Sequence, residues 1–151
     1  MAVAMRGGYS RGSARDRDTP TVTAAAVSEI VASYDALNRG DVDSTIAVLA
    51  PDVVWRESAE LPGGGELRGR ESVRSFLMEF LDSWDRFEQT VERTVVAGDR
   101  VAVVIRARGI GTGSGAEVET RYAHVWTVGA GLCRRVDAYR DVDEALAAVA
   151  P

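Results

Sequence analysis

Side chains able to bind or transform a small molecule stand two residues apart on three predicted strands. The pairs are Trp55 with Glu57, Arg106 with Arg108, and His124 with Trp126. Because alternate residues of a strand face the same side of a sheet, each pair shares a face, and we expect all three to face one pocket. A carboxyl group in an apolar pocket can have its pKa raised toward neutrality and transfer protons.

Two predicted helices add aromatic rings to this pocket, namely Tyr34, Phe76 and Phe80. The same residues have plain structural interpretations. The rings can be ordinary core, His124 can be a hydrogen-bonded interior residue, and Glu57 can form a structural ion pair with Arg106.

Metal and phosphate chemistry have little support in the sequence. The chain has one histidine and one cysteine, Cys133, and its carboxylates lack the spacing of metal ligands. The glycine-rich segment 109–113 joins two predicted strands, whereas a dinucleotide site needs a strand-to-helix turn. We therefore expect no metal, no cofactor and no internal disulfide.

Composition narrows the class of protein further. The 151 residues can form one domain with one sizeable core, and the net charge of −5 argues against nucleic acid as a partner. No run of about twenty apolar residues predicts a membrane helix, and the single cysteine fits a cytoplasmic location. Residues 1–20 have little to bury, which predicts a disordered basic tail before a domain over residues 21–151.

Hydrophobic spacing predicts three helices, over residues 27–37, 41–49 and 73–84, with Pro51 ending the second. Extended segments are predicted at 53–57, 87–96, 101–110, 118–128 and 132–139, and a short helix follows Asp141. This order indicates an α+β fold in which a curved antiparallel sheet is covered on one side by helices. The glycine-rich segment 61–65 is predicted to be a loop at the rim of the pocket.

Several segments resemble the SnoaL-like family of the nuclear transport factor 2-like superfamily. They are Asn38-Arg39-Gly40-Asp41, Pro51-Asp52-Val53-Val54-Trp55, Leu61-Pro62-Gly63-Gly64-Gly65 and Ala123-His124-Val125-Trp126-Thr127. The resemblance covers residues 24 to about 148. It implies a cone-shaped cystatin-like roll with its pocket between sheet and helices, and a homodimer formed through the outer face of the sheet.

Three enzyme groups of this superfamily imply roles for individual residues. Glu57 takes the position of the general base in ketosteroid isomerases, but Ser33 and Ala123 stand where that site has its tyrosine and its aspartic acid. His124 matches the histidine of SnoaL-type polyketide cyclases, whose companion aspartate is replaced by Ala138.

Limonene-type epoxide hydrolases hold an arginine between two aspartates. Arg106 matches that arginine, while Arg108 and Ala138 take the places of the aspartates, so activation of water by that triad is not expected. Trp55 and Glu57 fall on pocket-facing positions of these hydrolases.

We therefore predict a small-molecule-binding SnoaL-like protein. It would act as a cofactor-independent isomerase, cyclase or hydrolase on a hydrophobic substrate that bears a carbonyl or carboxylate group. Glu57 would be the base, kept ionised by the two arginines, and Arg106 and His124 would orient the substrate. The alternative is a non-catalytic ligand-binding or dimerisation module on the same scaffold.

Overall fold

A computed structural model describes residues 21–150, and the predicted tail, residues 1–20, lies outside them. The helices are α1 (Ala24–Asn38), α2 (Val42–Ile46), α3 (Arg70–Asp82) and α4 (Val142–Val149). The strands are β1 (Leu49–Arg56), β2 (Glu66–Arg68), β3 (Trp84–Ala97), β4 (Arg100–Gly111), β5 (Glu117–Gly129) and β6 (Leu132–Tyr139). Among the described residues, no helix has the length and apolar character needed to cross a membrane.

The strands form one curved, unclosed sheet in the order β2-β1-β6-β5-β4-β3. Neighbours from β3 to β6 are antiparallel and follow one another along the chain, as the sequence predicted. The turn between β5 and β6 uses positive φ angles at Ala130 and Gly131, which suits a tight hairpin. β1 departs from this pattern, because it pairs with β6 in parallel.

Helices α1 and α3 pack on one face of the sheet, which we call the inner face. Ile30 and Leu37 of α1, with Val73 of α3, belong to the same core cluster as Val103 and Ile105 of β4. Each of these five side chains is buried, so the main core lies between the helices and the inner face.

The C-terminal helix lies on the other side, which corrects the prediction that the helices cover one side. Ala145 and Val149 of α4 pack against Ala102, Val104 and Val125 of the outer face. The outer-facing residues of β4 and β5 are apolar where α4 packs on them, and α4 shields them from water. Val125 of β5 is therefore buried beneath α4.

Two predicted boundaries also change. The second helix ends at Ile46, and Leu49 already belongs to β1, where it pairs with Cys133. Pro51 lies within β1 at an irregularity in the strand pairing, a position that tolerates a missing backbone donor. Trp84, predicted on the third helix, is instead the first residue of β3.

Candidate functional site

A cavity of about 50 Å³ lies between the inner face of the sheet and helices α1 and α3. Seven of the nine predicted site residues line it, namely Tyr34, Trp55, Glu57, Phe76, Phe80, His124 and Trp126. These residues come from α1, α3 and two strands separated by β6. The strand alternation predicted for β1 and β5 is therefore correct.

Arg106 and Arg108 do not reach the cavity, so their predicted pocket position is wrong. Arg106 pairs across the sheet with Arg121, whereas Val103 pairs with His124, which places arginine and histidine on opposite faces. On the outer face, Glu92 accepts hydrogen bonds from Arg106 at 2.8 Å and from Arg121 at 2.6 Å. Glu57 consequently has no ion pair with Arg106.

Arg108 lies in the same outer row of β4. Its Nε atom is 3.8 Å from a carboxylate oxygen of Glu119, and both side chains are mostly exposed. A surface ion pair of this kind contributes little to stability.

A buried hydrogen-bond chain links the centre of the cavity to α1. Trp126 Nε1 donates to the Tyr34 hydroxyl oxygen at 2.9 Å, and that hydroxyl lies 2.6 Å from Nδ1 of His124. If Tyr34 donates to Nδ1, the Tyr34 hydroxyl both donates and accepts, and the histidine proton resides on Nε2, where it is free to donate to a ligand. The opposite arrangement would strand the Tyr34 proton, since no other acceptor for it exists among the described residues.

His124 is held neutral by its surroundings. Its ring centroid lies 5.4 Å from those of Trp55 and Tyr122 and 5.7 Å from that of Tyr34. Burial among these rings lowers the pKa of His124 to about 3, because a charged imidazole would lose its hydration. Across the strand pair His124 faces Ala138, so the polar contact that holds the ring comes from Tyr34.

Glu57 is the carboxyl group of the cavity, directly after the last residue of β1. Burial raises its pKa to about 7, while the nearby indole N–H of Trp55 and the backbone of Ser58 oppose that rise. The Trp55 N–H favours the ionised carboxylate by proximity, although no hydrogen bond joins the two groups. The expectation that arginines keep Glu57 fully ionised is wrong, because Arg106 and Arg108 lie on the outer face of the sheet, away from the cavity.

The cavity residues that the sequence interpretation did not name include two with polar side chains from the sheet, Gln89 of β3 and Tyr122 of β5. Tyr122 stands two residues before His124, so the alternation that places His124 and Trp126 also places Tyr122. Gln89 lies on the same face of β3 as Phe87, but a polar side chain on a strand at the edge of a sheet is not expected to be buried. The Gln89 amide Nε2 donates to the Tyr122 hydroxyl.

No group of three or more His, Cys, Asp or Glu side chains is arranged to bind a metal within residues 21–150. Cys133 is buried at the start of β6, and burial raises the pKa of its thiol to about 12. The cavity therefore offers proton-transfer and hydrogen-bonding groups.

Comparison with known proteins identifies the family. The SnoaL-like domain matches residues 30–136. A nuclear transport factor 2-like protein from Burkholderia thailandensis is 32% identical over 81% of this chain and 95% of its own, with a TM-score of 0.67. A candidate polyketide cyclase from Xanthomonas campestris is 28% identical over 83% and 96%, with a TM-score of 0.62.

A candidate SnoaL-like polyketide cyclase from Jannaschia has the same fold. It is 20% identical over 86% of this chain and 95% of its own, with a TM-score of 0.69. No curated protein matches the sequence. The family match covers most of the chain and agrees with the α+β architecture, which confirms the predicted resemblance. The chain therefore belongs to the SnoaL-like domain family.

Proposed function

We propose that this protein binds a compact, mainly apolar carbonyl compound and moves a proton on it without a cofactor. The observation that carries the proposal is the Glu57 carboxyl group, whose pKa near 7 lets it both accept and return a proton at neutral pH. Among residues 21–150, none of those that line the cavity is an arginine or a lysine. A neutral carbonyl therefore suits the site better than a carboxylate, which would be buried without a counter-charge.

In the proposed reaction, ionised Glu57 removes a proton from the carbon next to the carbonyl group. The C–H electron pair forms a C=C bond, and the carbonyl π electrons move to oxygen, giving an enolate. Neutral His124, with its proton on Nε2, donates a hydrogen bond to that oxygen. Glu57 then returns its proton to the same or a conjugated carbon, which restores the carbonyl and leaves the enzyme unchanged.

Exchange of carbon-bound hydrogen tests this step directly. Phenylacetone in D₂O should lose its acidic C–H protons faster with the protein than without it, as followed by proton NMR. The rate should rise with pH and level off above about 7, as Glu57 becomes ionised. Glu57→Gln should reduce the acceleration by about a hundredfold or more, because the base is removed.

The matched control is Glu88→Gln, which changes an exposed carboxylate on β3 and should leave the acceleration unchanged. Equal rates in wild type and Glu57→Gln would refute the role of Glu57. No acceleration by the wild type would refute proton transfer on this ketone class.

Non-catalytic ligand binding is the second candidate, because an aromatic lining can hold an apolar ring compound without any reaction at Glu57. The cavity of about 50 Å³ is smaller than the roughly 300–1,000 Å³ of pockets for drug-sized ligands, so entry of a ring compound requires lining side chains to move apart. Acetophenone should change tryptophan emission if it enters beside Trp55 and Trp126, and Trp55→Phe should weaken that response. A response without hydrogen exchange would identify a binding module.

A homodimer and a cytoplasmic location stay predictions. With part of the outer face occupied by α4, we place the dimer contact on the remaining outer surface of β3 to β5. The ion pairs of Arg106 and Arg121 with Glu92 lie on that surface.

A further inference from the structure

Two buried polar atoms of the cavity lack a partner within the part of the chain that the structure describes. They are the donor Trp55 Nε1 and the acceptor Gln89 Oε1. Trp55 is 6% exposed and Gln89 is also 6% exposed, so surrounding water does not satisfy them freely. A buried polar group without a hydrogen bond destabilises the unliganded protein, and a ligand that supplies the bond removes this cost.

Gln89 is held in place by contacts on both sides. Asn38 at the end of α1 donates from Nδ2 to the Gln89 carbonyl oxygen at 2.9 Å and accepts from the Gln89 backbone N–H at 2.8 Å. These bonds occupy the free edge of β3, which is the edge strand of the sheet. At the other end of the residue, the side-chain Nε2 donates to the Tyr122 hydroxyl. The remaining amide oxygen is therefore presented at a fixed position.

We propose that the Gln89 amide is a ligand subsite that recognises a hydroxyl group, while Trp55 and His124 address the carbonyl group of the same molecule. Tyr122 can either accept from the amide nitrogen or donate to the amide oxygen, so one polar atom of Gln89 is always left for the ligand. A hydroxyl group can donate to the oxygen or accept from the nitrogen, and it matches both arrangements. The ligand class is a compact hydroxylated aromatic carbonyl compound.

This inference rests on the proposed binding function of the cavity and not on catalysis there. The cavity lining supports this class of ligand, since the rings of Tyr34, Trp55 and Phe76 offer apolar contacts to an aromatic ring. A site that hydrogen-bonds a substrate hydroxyl discriminates strongly against an analogue lacking it, because its own polar group is then left unpaired.

The test compares ligands that match in size and differ in the donor. The three hydroxyacetophenones and the three fluoroacetophenones are titrated into the full chain, and Kd is measured by calorimetry. At least one hydroxy isomer should bind about tenfold or more tightly than the fluoro isomer of the same substitution. Gln89→Met removes both amide atoms at similar length and should abolish this preference while the fluoro compounds bind as before.

Thr90→Val is the matched control, since Thr90 is the exposed neighbour on the opposite face of β3, and it should keep the preference. The inference is overturned if no hydroxy isomer outperforms its fluoro partner, if none of the six compounds binds, or if Gln89→Met retains the preference. The wild-type comparison decides the matter even if Gln89→Met does not fold. A wild type that shows the preference but does not accelerate hydrogen exchange would support the subsite and refute proton transfer.

Discussion

Glu57 and Gly65 are joined by two backbone hydrogen bonds, from Glu57 N to Gly65 O at 2.8 Å and from Gly65 N to Glu57 O at 3.3 Å. They close the loop of residues 58–64 at its base, so the backbone of the candidate base is also the anchor of the glycine-rich loop. Phe76, which lines the cavity, lies next to Gly63 of this loop. We therefore expect displacement of this loop to change the shape of the cavity near Glu57.

Substitution of Gly64 by alanine should disturb this loop. A Cβ at Gly64 would lie 2.0 Å from the backbone oxygen of Ser58, a contact that only a shift of the backbone can relieve. Gly64→Ala should weaken acetophenone binding several-fold, measured by tryptophan emission. Gly129→Ala is the control, because its Cβ would meet Arg134 at an ordinary 3.5 Å. Unchanged binding in Gly64→Ala would show that the loop does not belong to the site.

The two titrating groups of the cavity should change stability in opposite directions. Glu57 releases its proton near pH 4.5 when unfolded and near pH 7 when folded, because its pKa is raised. Its stabilising contribution is complete below pH 4.5 and is lost as pH rises through 7, up to about 3 kcal/mol. The pKa of His124 falls from 6.5 to about 3, so its contribution, up to about 5 kcal/mol, is present above pH 6.5 and lost toward pH 3.

Between pH 4.5 and 6.5 the Glu57 and His124 contributions to the free energy of unfolding change with pH by equal and opposite amounts in the wild type. Glu57→Gln removes the Glu57 contribution. The free energy of unfolding of this variant, relative to that of the wild type, should therefore rise between pH 4.5 and 7 and stay at its highest value above pH 7. Urea unfolding at pH 4.5, 5.5, 6.5 and 7.5 measures the difference, with Glu88→Gln as the control. A constant offset between Glu57→Gln and wild type would mean that the Glu57 pKa is not raised.

The Tyr34 hydroxyl should matter more for stability than an ordinary tyrosine hydroxyl. Tyr34→Phe leaves His124 Nδ1 and Trp126 Nε1 buried without partners, which should cost roughly 2–4 kcal/mol in the free energy of unfolding. The comparison is Tyr139→Phe, at a partly buried ring packed against the outer cluster. Chemical denaturation of both variants gives the result, and equal losses would contradict the role assigned to the chain of hydrogen bonds.

Association through the outer face should produce a homodimer. Sedimentation at micromolar concentration should give roughly twice the 16.2 kDa of one chain. Arg121→Glu places a second negative charge beside Glu92 and should shift the protein toward monomer. Arg39→Glu, at an exposed position after α1, should not. A wild-type monomer would exclude the dimer.

Parts of this site were predictable because Trp55 and Glu57, like His124 and Trp126, stand two residues apart and share a face. The faces of the β4 residues were harder to assign, since five consecutive residues, Val101 to Ile105, are buried. The odd positions face α1 and α3, while the even ones face α4, which the sequence did not place on the outer side. The face of Arg106 therefore depended on a helix about forty residues further along the chain.

Gln89 shows a second limit of sequence interpretation. The pairing of β3 with β4 shifts between Val91 and Arg93, so faces cannot be counted through the whole strand. The wrong face predicted for Arg106 and Arg108 also made the prediction for Glu57 wrong, because the expected lowering of the Glu57 pKa depended on arginines in the cavity. Helix α3 was predictable, since its apolar residues recur at helical spacing on one packed face.

The parallel pairing of β1 with β6 has a consequence for the order of folding. Leu49 pairs with Cys133 and Trp55 with Val136, so β1, which carries β2 on its other side, joins the rest of the sheet only through the last strand. The antiparallel strands β3 to β6 can assemble from local hairpins, whereas joining β1 to them closes a long stretch of chain and loses entropy late. During synthesis, we therefore expect the part of the cavity around Trp55 to form only after β6 has emerged. The cavity would then be among the last parts of the molecule to be completed.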